Sequence, residues 1–324
     1  MKKFVVTGCN GYIGSHMCYE LKRTYPDCFI IGVDKNVRPH LRHLYDAFSC
    51  VDLSLNTAYF SRGEVDCLFH FAAYISVEEG ERDPWSYYRN NIGATLNTID
   101  MAKRCKIRNF IFSSTAAVYG ESKSQMFGHL LESQPMNPVS VYGKSKAMCE
   151  TILEGVKDMN VARLRYFNAC GRNVEANLYE EHEPETHLIP LLAKNKTATI
   201  YGDDYPTVDG TAIRDYVHVI DICRTHIAAY EYINFLDNTN IVLNIGSGKG
   251  YSVKEVVDKA NEVLHNGEMK IEYKERRPGD VPYLVADNTK LKELLGYYPQ
   301  YSLCDIMESM KLYTISNSGN ESIS

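Results

Sequence analysis

The chain has no apolar run near the ~20 residues that a membrane-crossing helix needs, so it is not expected to span a bilayer. It has no basic excess: 35 Lys and Arg face 41 Asp and Glu, a net charge of −6, which argues against nucleic acid or an anionic membrane as the main partner. A secretory leader pattern is missing as well, since Lys2 and Lys3 precede only three apolar residues before Thr7-Gly8. Ten cysteines are many, yet none forms a C-x-x-C pair or clusters with histidine, so no metal site is expected. A disulfide framework is implausible in 324 residues without a leader. Several thiols (Cys28, Cys67, Cys170, Cys223) instead sit inside apolar runs, as small buried groups do. The cytosol is the expected compartment. Internal repeats, low-complexity tracts and flexible linkers are also absent, which leaves an ordinary globular composition with 44% hydrophobic and 23% charged residues.

What is present is an alternation of short apolar runs with helical patterns. Candidate strands at 3–7, 28–33, 66–71, 109–113 and 161–166 are interleaved with candidate helices at 12–24, 84–104 and 140–158. This predicts an α/β fold with a Rossmann-type, doubly wound parallel sheet over residues 1–170. Asp83-Pro84 opens the second of these helices, the aspartate as cap and the proline in the first turn. Residues 172–187 are polar, acidic and aperiodic, and read as a long loop. Short strands, a helix at 252–265 and turn-rich connections follow, predicting a smaller α+β substrate region over 171–324, with a return to the sheet domain near 213–245. The polar tail from Ser316 is expected to fray.

Two features carry chemistry. Directly after the first strand comes Gly8-Cys9-Asn10-Gly11-Tyr12-Ile13-Gly14, and a helical pattern follows. Glycines at these places permit a tight turn, close backbone approach to a pyrophosphate and close helix–strand packing, with the first helical amides aimed at the phosphates. The spacing departs from G-x-G-x-x-G, so the turn alone decides little. The second strand ends at Asp34, twenty residues after Gly14, where a carboxylate accepts from an adenosine ribose and repels a 2′-phosphate. NAD is therefore expected over NADP, although Lys35 and Arg38 could offset a 2′-phosphate. The other feature is Tyr142-Gly143-Lys144-Ser145-Lys146, which puts a phenol and an ammonium four residues apart on one helical face. A free phenol titrates near ~10, and bringing it to neutrality takes about 4 kcal/mol. A fixed cation together with an oxidised nicotinamide can supply that.

Taken in order, the motifs resemble the extended short-chain dehydrogenase/reductase family, and within it the UDP-glucose 4-epimerase branch of the NAD-dependent epimerase/dehydratases. The resemblance runs from Thr7 to about Tyr298, and its specific blocks are Thr7–His16, Phe112–Gly120, Tyr142–Lys146, Leu164–Asn168, Glu185–Pro190, Tyr201–His218 and Arg276–Asp280. It implies Tyr142, Lys146 and Thr115 as catalytic residues, with Ser114 as the alternative to Thr115. It implies NAD contacts from Gly8, Gly11, Tyr12, Ile13, Gly14, Asp34, Asn36, Asp52, Leu53, Phe71, Ala72, Ala73, Asn90 and Phe167, besides the catalytic three. Ile75 stands where a cofactor-contacting lysine is frequent in the family, so one polar contact is in doubt.

For a UDP-hexose substrate the resemblance implies contacts from Thr115, Tyr142, Asn168, His187, Leu188, Tyr201, Arg214, Arg277, Asp280 and Leu284. Arg214 could instead pair with Asp215 or Asp221. The implied reaction is reversible epimerisation of UDP-galactose and UDP-glucose at C4, by transient hydride transfer to bound NAD through a 4-ketose. The alternative is 4-epimerisation of UDP-GlcNAc, UDP-glucuronate or UDP-xylose, because Leu284 is intermediate in size at a position whose bulk limits the C2 substituent. Dehydration is disfavoured by Ala116 and Ala117, neither of which can move a proton. The resemblance further implies a homodimer built on the helices near 84–104 and 140–158.

Overall fold

The computed structural model describes residues 1–58, 65–120, 128–181, 184–277 and 280–318, with the backbone alone from 312 onward. The first half runs β1 (Lys3–Thr7), α1 (Tyr12–Thr24), β2 (Phe29–Asp34), β3 (Ala47–Cys50), β4 (Cys67–His70), α2 (Val77–Arg82), α3 (Pro84–Arg104), β5 (Asn109–Thr115), α4 (Val141–Glu154) and β6 (Asn160–Tyr166). There follow β7 (Asn168–Cys170), α5 (Leu188–Lys194), β8 (Thr197–Tyr201), β9 (Ile213–His218), α6 (Val219–Ile233) and β10 (Asn240–Ile245). The chain closes with β11 (Gly250–Ser252), α7 (Val253–His265), β12 (Lys270–Lys274), β13 (Tyr283–Leu284), α8 (Thr289–Leu295) and α9 (Leu303–Ser318).

Seven parallel strands form the main sheet in the order β10-β6-β5-β4-β1-β2-β3. Its strands are apolar on both faces because both faces are covered. In β1, Phe4 and Val6 join the core beneath α1 and α6, whereas Val5 joins the opposite core beneath α3 and α4. The strand order reverses between β1 and β4, and in an open sheet of this kind the crevice at the carboxyl ends of those strands is where ligands bind.

The local signals placed the elements well. Asp83 caps α3 by accepting from the Ser86 amide at 3.2 Å, with Pro84 in the first turn. α4 is shorter than the pattern suggests, ending at Glu154 because Gly155 closes it. Residues 172–187 carry no helix or strand among those described. Of the segment 213–245, α6 and β10 return to the main sheet. β9 does not; it pairs with β7, β11 and β13 in a small separate sheet. A second core, with Ile189, Leu192, Ile200, Val256, Val257 and Met307, lies among α5, α7 and α9. The polar residues from 319 onward lie outside the described residues, and α9 continues through Ser316 to Ser318.

Candidate active site

A cleft of about 760 Å³ opens along the carboxyl end of the main sheet. At one end is the glycine turn. Gly8 leaves β1 with φ +68°, and a Cβ added there would lie 2.8 Å from the Ala72 nitrogen; one added to Gly14 would lie 2.0 Å from the Gly8 carbonyl oxygen. The first glycine thus permits the turn beside Phe71-Ala72-Ala73, and the last lets α1 meet β1 backbone to backbone. Gly11 caps α1 and lines the cleft, as do Tyr12 and Ile13.

Asp34 locks this turn to the second strand. Its Oδ2 accepts from the Asn10 amide at 3.0 Å and its Oδ1 from the Asn36 amide at 2.9 Å. Burial raises its pKa against the pull of those bonds and of Arg38 and Lys35. Asn10, which the sequence reading passed over, also donates to the Asn36 carbonyl at 2.6 Å. The two cations that could offset a 2′-phosphate are engaged elsewhere. Lys35 donates to the Tyr74 hydroxyl at 2.8 Å, and Arg38 pairs with Glu181 of the 172–187 loop.

The cleft floor continues through Phe71, Ala72 and Ala73, with Asp52 and Leu53 to one side. Thr7 Oγ1 meets His70 Nδ1 at 2.7 Å and accepts from the Ala72 amide at 3.4 Å, fixing this stretch to β1. Asn90 lines the cleft and donates to Asn91 Oδ1 at 3.0 Å. Asn91, unflagged by the sequence, brackets Tyr74 through both its amide and its carbonyl and donates to Ser145 Oγ at 2.9 Å, tying α3 to α4.

α4 carries Tyr142 and Lys146 into the cleft wall. Ser140 caps the helix on the Gly143 amide at 3.0 Å, which sets where the helix begins and therefore which face these residues occupy. The Thr115 side chain adjoins the Tyr142 hydroxyl and favours its ionised form. Burial pushes the phenol up to about 12, and the Thr115 hydroxyl only partly opposes it. Lys146 donates to the Ser113 carbonyl at 2.7 Å, and burial lowers its ammonium to about 8, against the favourable charge of Glu150. The Ser114 hydroxyl donates to the Glu150 carboxylate.

Asn168, His187, Leu188 and Leu284 line the far part of the cleft, with Phe167 beside Asn168. His187 contacts Glu180 at 2.7 Å and Glu185 at 3.6 Å. Burial opposes its charge, but the Glu180 bond and the two carboxylates outweigh this and raise its pKa. These are the only three residues among those described whose ligand atoms gather as a metal would require. Tyr201, Arg214, Arg277 and Asp280 do not line the cleft: Tyr201 ends β8, which pairs with β12, Arg214 lies on β9, and Arg277 and Asp280 lie between β12 and β13. The Arg277 guanidinium lies 4.0 Å from the Tyr201 ring centre, and Arg214 meets Asp280 at 3.4 Å. Neither Asp215 nor Asp221 pairs with Arg214, because their oxygens are taken up by Ser247, Gly248 and Ala286, and by Tyr297, Gln300 and Tyr301. Arg214 is paired with β13 through register as well, facing Leu284.

A cleft with a glycine turn, a strand-end carboxylate and a Tyr–Thr–Lys wall has counterparts. The family model described as "NAD dependent epimerase/dehydratase family" matches residues 4–246. The chain belongs to that family. Like other NAD-dependent epimerase/dehydratases, it resembles curated proteins over nearly its whole length. It is 36% identical to the UDP-glucose 4-epimerase of Rhizobium meliloti, over 94% of both chains. Among solved structures, the UDP-glucose 4-epimerase of Bifidobacterium longum, in complex with NAD+ and UDP, superposes with a TM-score of 0.86 at 30% identity, covering 98% of this chain and 99% of that one. The UDP-Glc/GlcNAc 4-epimerase of Campylobacter jejuni gives 0.79 at 34% identity, covering 98% and 100%. The residues present fit the family's cofactor: the glycine cradle leaves room for phosphates beside the α1 amides, and Asp34 presents its carboxylate at the end of β2.

Proposed function

We propose that this chain is a UDP-glucose 4-epimerase, interconverting UDP-galactose and UDP-glucose at C4 with NAD held in the cleft. One observation carries the reading. Tyr142, beside Thr115 and one helical turn from Lys146, shares a cleft with the glycine turn and Asp34, while the residues after Thr115 are Ala116 and Ala117.

Tyr142 takes the proton from the sugar 4-hydroxyl and later returns it, and Thr115 shares the hydrogen bond. Bound at the glycine turn, NAD supplies the hydride acceptor and donor for the sugar carbon. A phenol near 12 is protonated at neutral pH, and ionising it at pH 7 takes about 7 kcal/mol of preferential phenolate stabilisation. Lys146 remains mostly charged at that pH, and beyond its bond to Ser113 it keeps two N–H groups to hold a ribose hydroxyl. Its charge and that of the oxidised coenzyme together favour the phenolate. The contacts implied for Gly8, Gly11, Tyr12, Ile13, Gly14, Asp34, Asn36, Asp52, Leu53, Phe71, Ala72, Ala73, Asn90 and Phe167 are consistent with their places along one cleft.

Both faces of the sugar must be presented in turn, so binding belongs on the nucleotide diphosphate and the hexose stays loosely held. The cluster of Tyr201, Arg214, Arg277 and Asp280 suits uridine and phosphate oxygens, because guanidinium binds phosphate bidentately. Asn168, His187 and Leu188 would contribute from the cleft side. Purified protein should convert UDP-galactose to UDP-glucose with no added reductant. Tyr142→Phe should lower the rate by roughly 10³-fold while NAD stays bound; an unimpaired variant refutes the assignment. A second reading, epimerisation of UDP-GlcNAc, is favoured by Leu284 at the cleft wall, where leucine leaves more room than tyrosine would. A panel of UDP-sugars separated by chromatography decides between them.

The assembly and compartment belong to the same reading. On α3, Trp85, Arg89, Ile92 and Leu96 fall on one helical stripe, with Trp85 82% and Leu96 48% exposed; Met148 is exposed on the adjoining α4. Such a face suits a helix-to-helix homodimer. No helix among the described residues is long and apolar enough to cross a membrane, and the ten free thiols fit a reducing cytosol.

A further inference from the structure

Behind the Tyr142 wall lies a buried ionic group whose charged residues, Glu150, Arg163 and Arg165, do not line the cleft. Glu150 sits on α4 one turn after Lys146 and two after Tyr142, with its side chain wholly buried. Arg165 of β6, 4% exposed, donates to it from Nε at 2.9 Å and from Nη2 at 2.7 Å. Ser114 of β5, the register partner of Arg165, donates to the same carboxylate. The guanidinium is itself fixed: its Nη1 donates to the Tyr119 hydroxyl at 3.0 Å, and that hydroxyl donates to Asn244 of β10 at 2.6 Å. Arg163 approaches the same carboxylate at 3.8 Å.

Three consecutive residues of β5 therefore meet three residues of α4 spaced by one helical turn. The Ser113 carbonyl takes Lys146 and the Ser114 hydroxyl takes Glu150, while the Thr115 side chain adjoins the Tyr142 hydroxyl. Only the middle contact is backed by a charge pair out of reach of solvent. Buried pairs of this kind are weak contributors to stability but strongly specify one arrangement of their elements when every member is satisfied.

We propose that Glu150, clamped between Arg165 and Ser114, is a positioning residue that sets the register of α4 against the end of β5 and so holds the Tyr142 phenol beside Thr115. The proposal rests on the catalytic reading of Tyr142 given above. Displacement by about 1 Å at a reacting group costs up to ~10²-fold in rate, so partial loosening of the clamp is read as about 10-fold.

Ser114→Ala removes the strand's link and leaves the charge pair intact; Ser114→Thr keeps the hydroxyl. Expected for Ser114→Ala is a kcat about 10-fold lower, with KM, bound NAD and the pH at which the rate half-rises unchanged, and recovery in Ser114→Thr. Glu150→Gln should lower kcat comparably, and the double variant should fall no further than the worse single, since both act through one unit. If Glu150→Gln does not fold, because Arg165 is left buried and unpaired, the two Ser114 variants carry the test alone. Full kcat in Ser114→Ala, or losses that multiply in the double variant, overturns the proposal. Tyr142→Phe is assayed beside them: an active Tyr142→Phe would sink the catalytic reading, whereas an inactive Tyr142→Phe with a fully active Ser114→Ala sinks the clamp alone.

Discussion

Gly14→Ala and Gly11→Ala separate two tasks of the glycine turn. At Gly14 a methyl group would lie 2.0 Å from the Gly8 carbonyl oxygen and 2.8 Å from its carbon, more than 1 Å inside van der Waals contact. The obstacle is backbone, and it cannot step aside: Gly8 donates to the Val33 carbonyl at 2.8 Å and is hemmed in by Ala72. α1 must therefore move off β1, a form of overpacking that costs typically ~1–3 kcal/mol. In a chain of 324 residues that corresponds to a melting temperature lower by roughly 2 °C per kcal/mol. At Gly11 the nearest atom is the Gly8 oxygen at 3.3 Å, a conflict that a few tenths of an ångström relieves. Its methyl group would instead occupy space in the cleft. The cofactor-stripped Gly14→Ala protein should melt several degrees below the parent, while stripped Gly11→Ala melts within about 1 °C of it. Both should lose affinity for NAD, read by titration of the stripped proteins. A Gly14→Ala variant that melts like the parent, or a Gly11→Ala variant that binds NAD as the parent does, would refute the account of the turn.

Asp34→Ala should weaken NAD about 10–100-fold through the lost charged hydrogen bond and raise the NADP-to-NAD affinity ratio, with Lys35 and Arg38 then the nearest cations; an unchanged ratio would remove Asp34 from the ribose. Burial lowers His16 and His226 to about 4, and His70 and His218 to about 3, so each is neutral in the fold. Their folded pKa values lie below the unfolded 6.5, so the stability they confer is complete above pH 6.5 and is lost as pH falls toward 4 and 3, by about 3–5 kcal/mol per residue. His226→Gln should accordingly flatten the fall of melting temperature between pH 6.5 and 4, and an unaltered slope would contradict this. Leu96→Glu should place a charge in the apolar stripe of α3 and convert a dimer to monomer in sedimentation; a parent chain that already sediments as a monomer would reject the interface.

How much of this could be read from the residues differs from element to element. The sequence was sufficient where the determinant is local. Alternation and apolar runs located β1, β2 and β5; Asp83-Pro84 marked the start of α3; and helical spacing put Tyr142 and Lys146 on one face. Asp34 followed from its distance to Gly14, because a βαβ unit has little freedom in length. Three things needed the tertiary structure. β10 lies beside β6 although more than seventy residues separate them, and nothing within either strand names its neighbour. Lys35 and Arg38 look free in sequence but are spent on Tyr74 and Glu181, partners supplied by other loops. Glu150 and Arg165 carry no local signal that joins them, and only their meeting in the interior makes them a pair. The sequence by itself determined which residues can do chemistry, since that depends on functional groups and short-range spacing. The fold alone decided which of them are brought within reach of each other, because contact between distant segments is set by packing across the whole sheet.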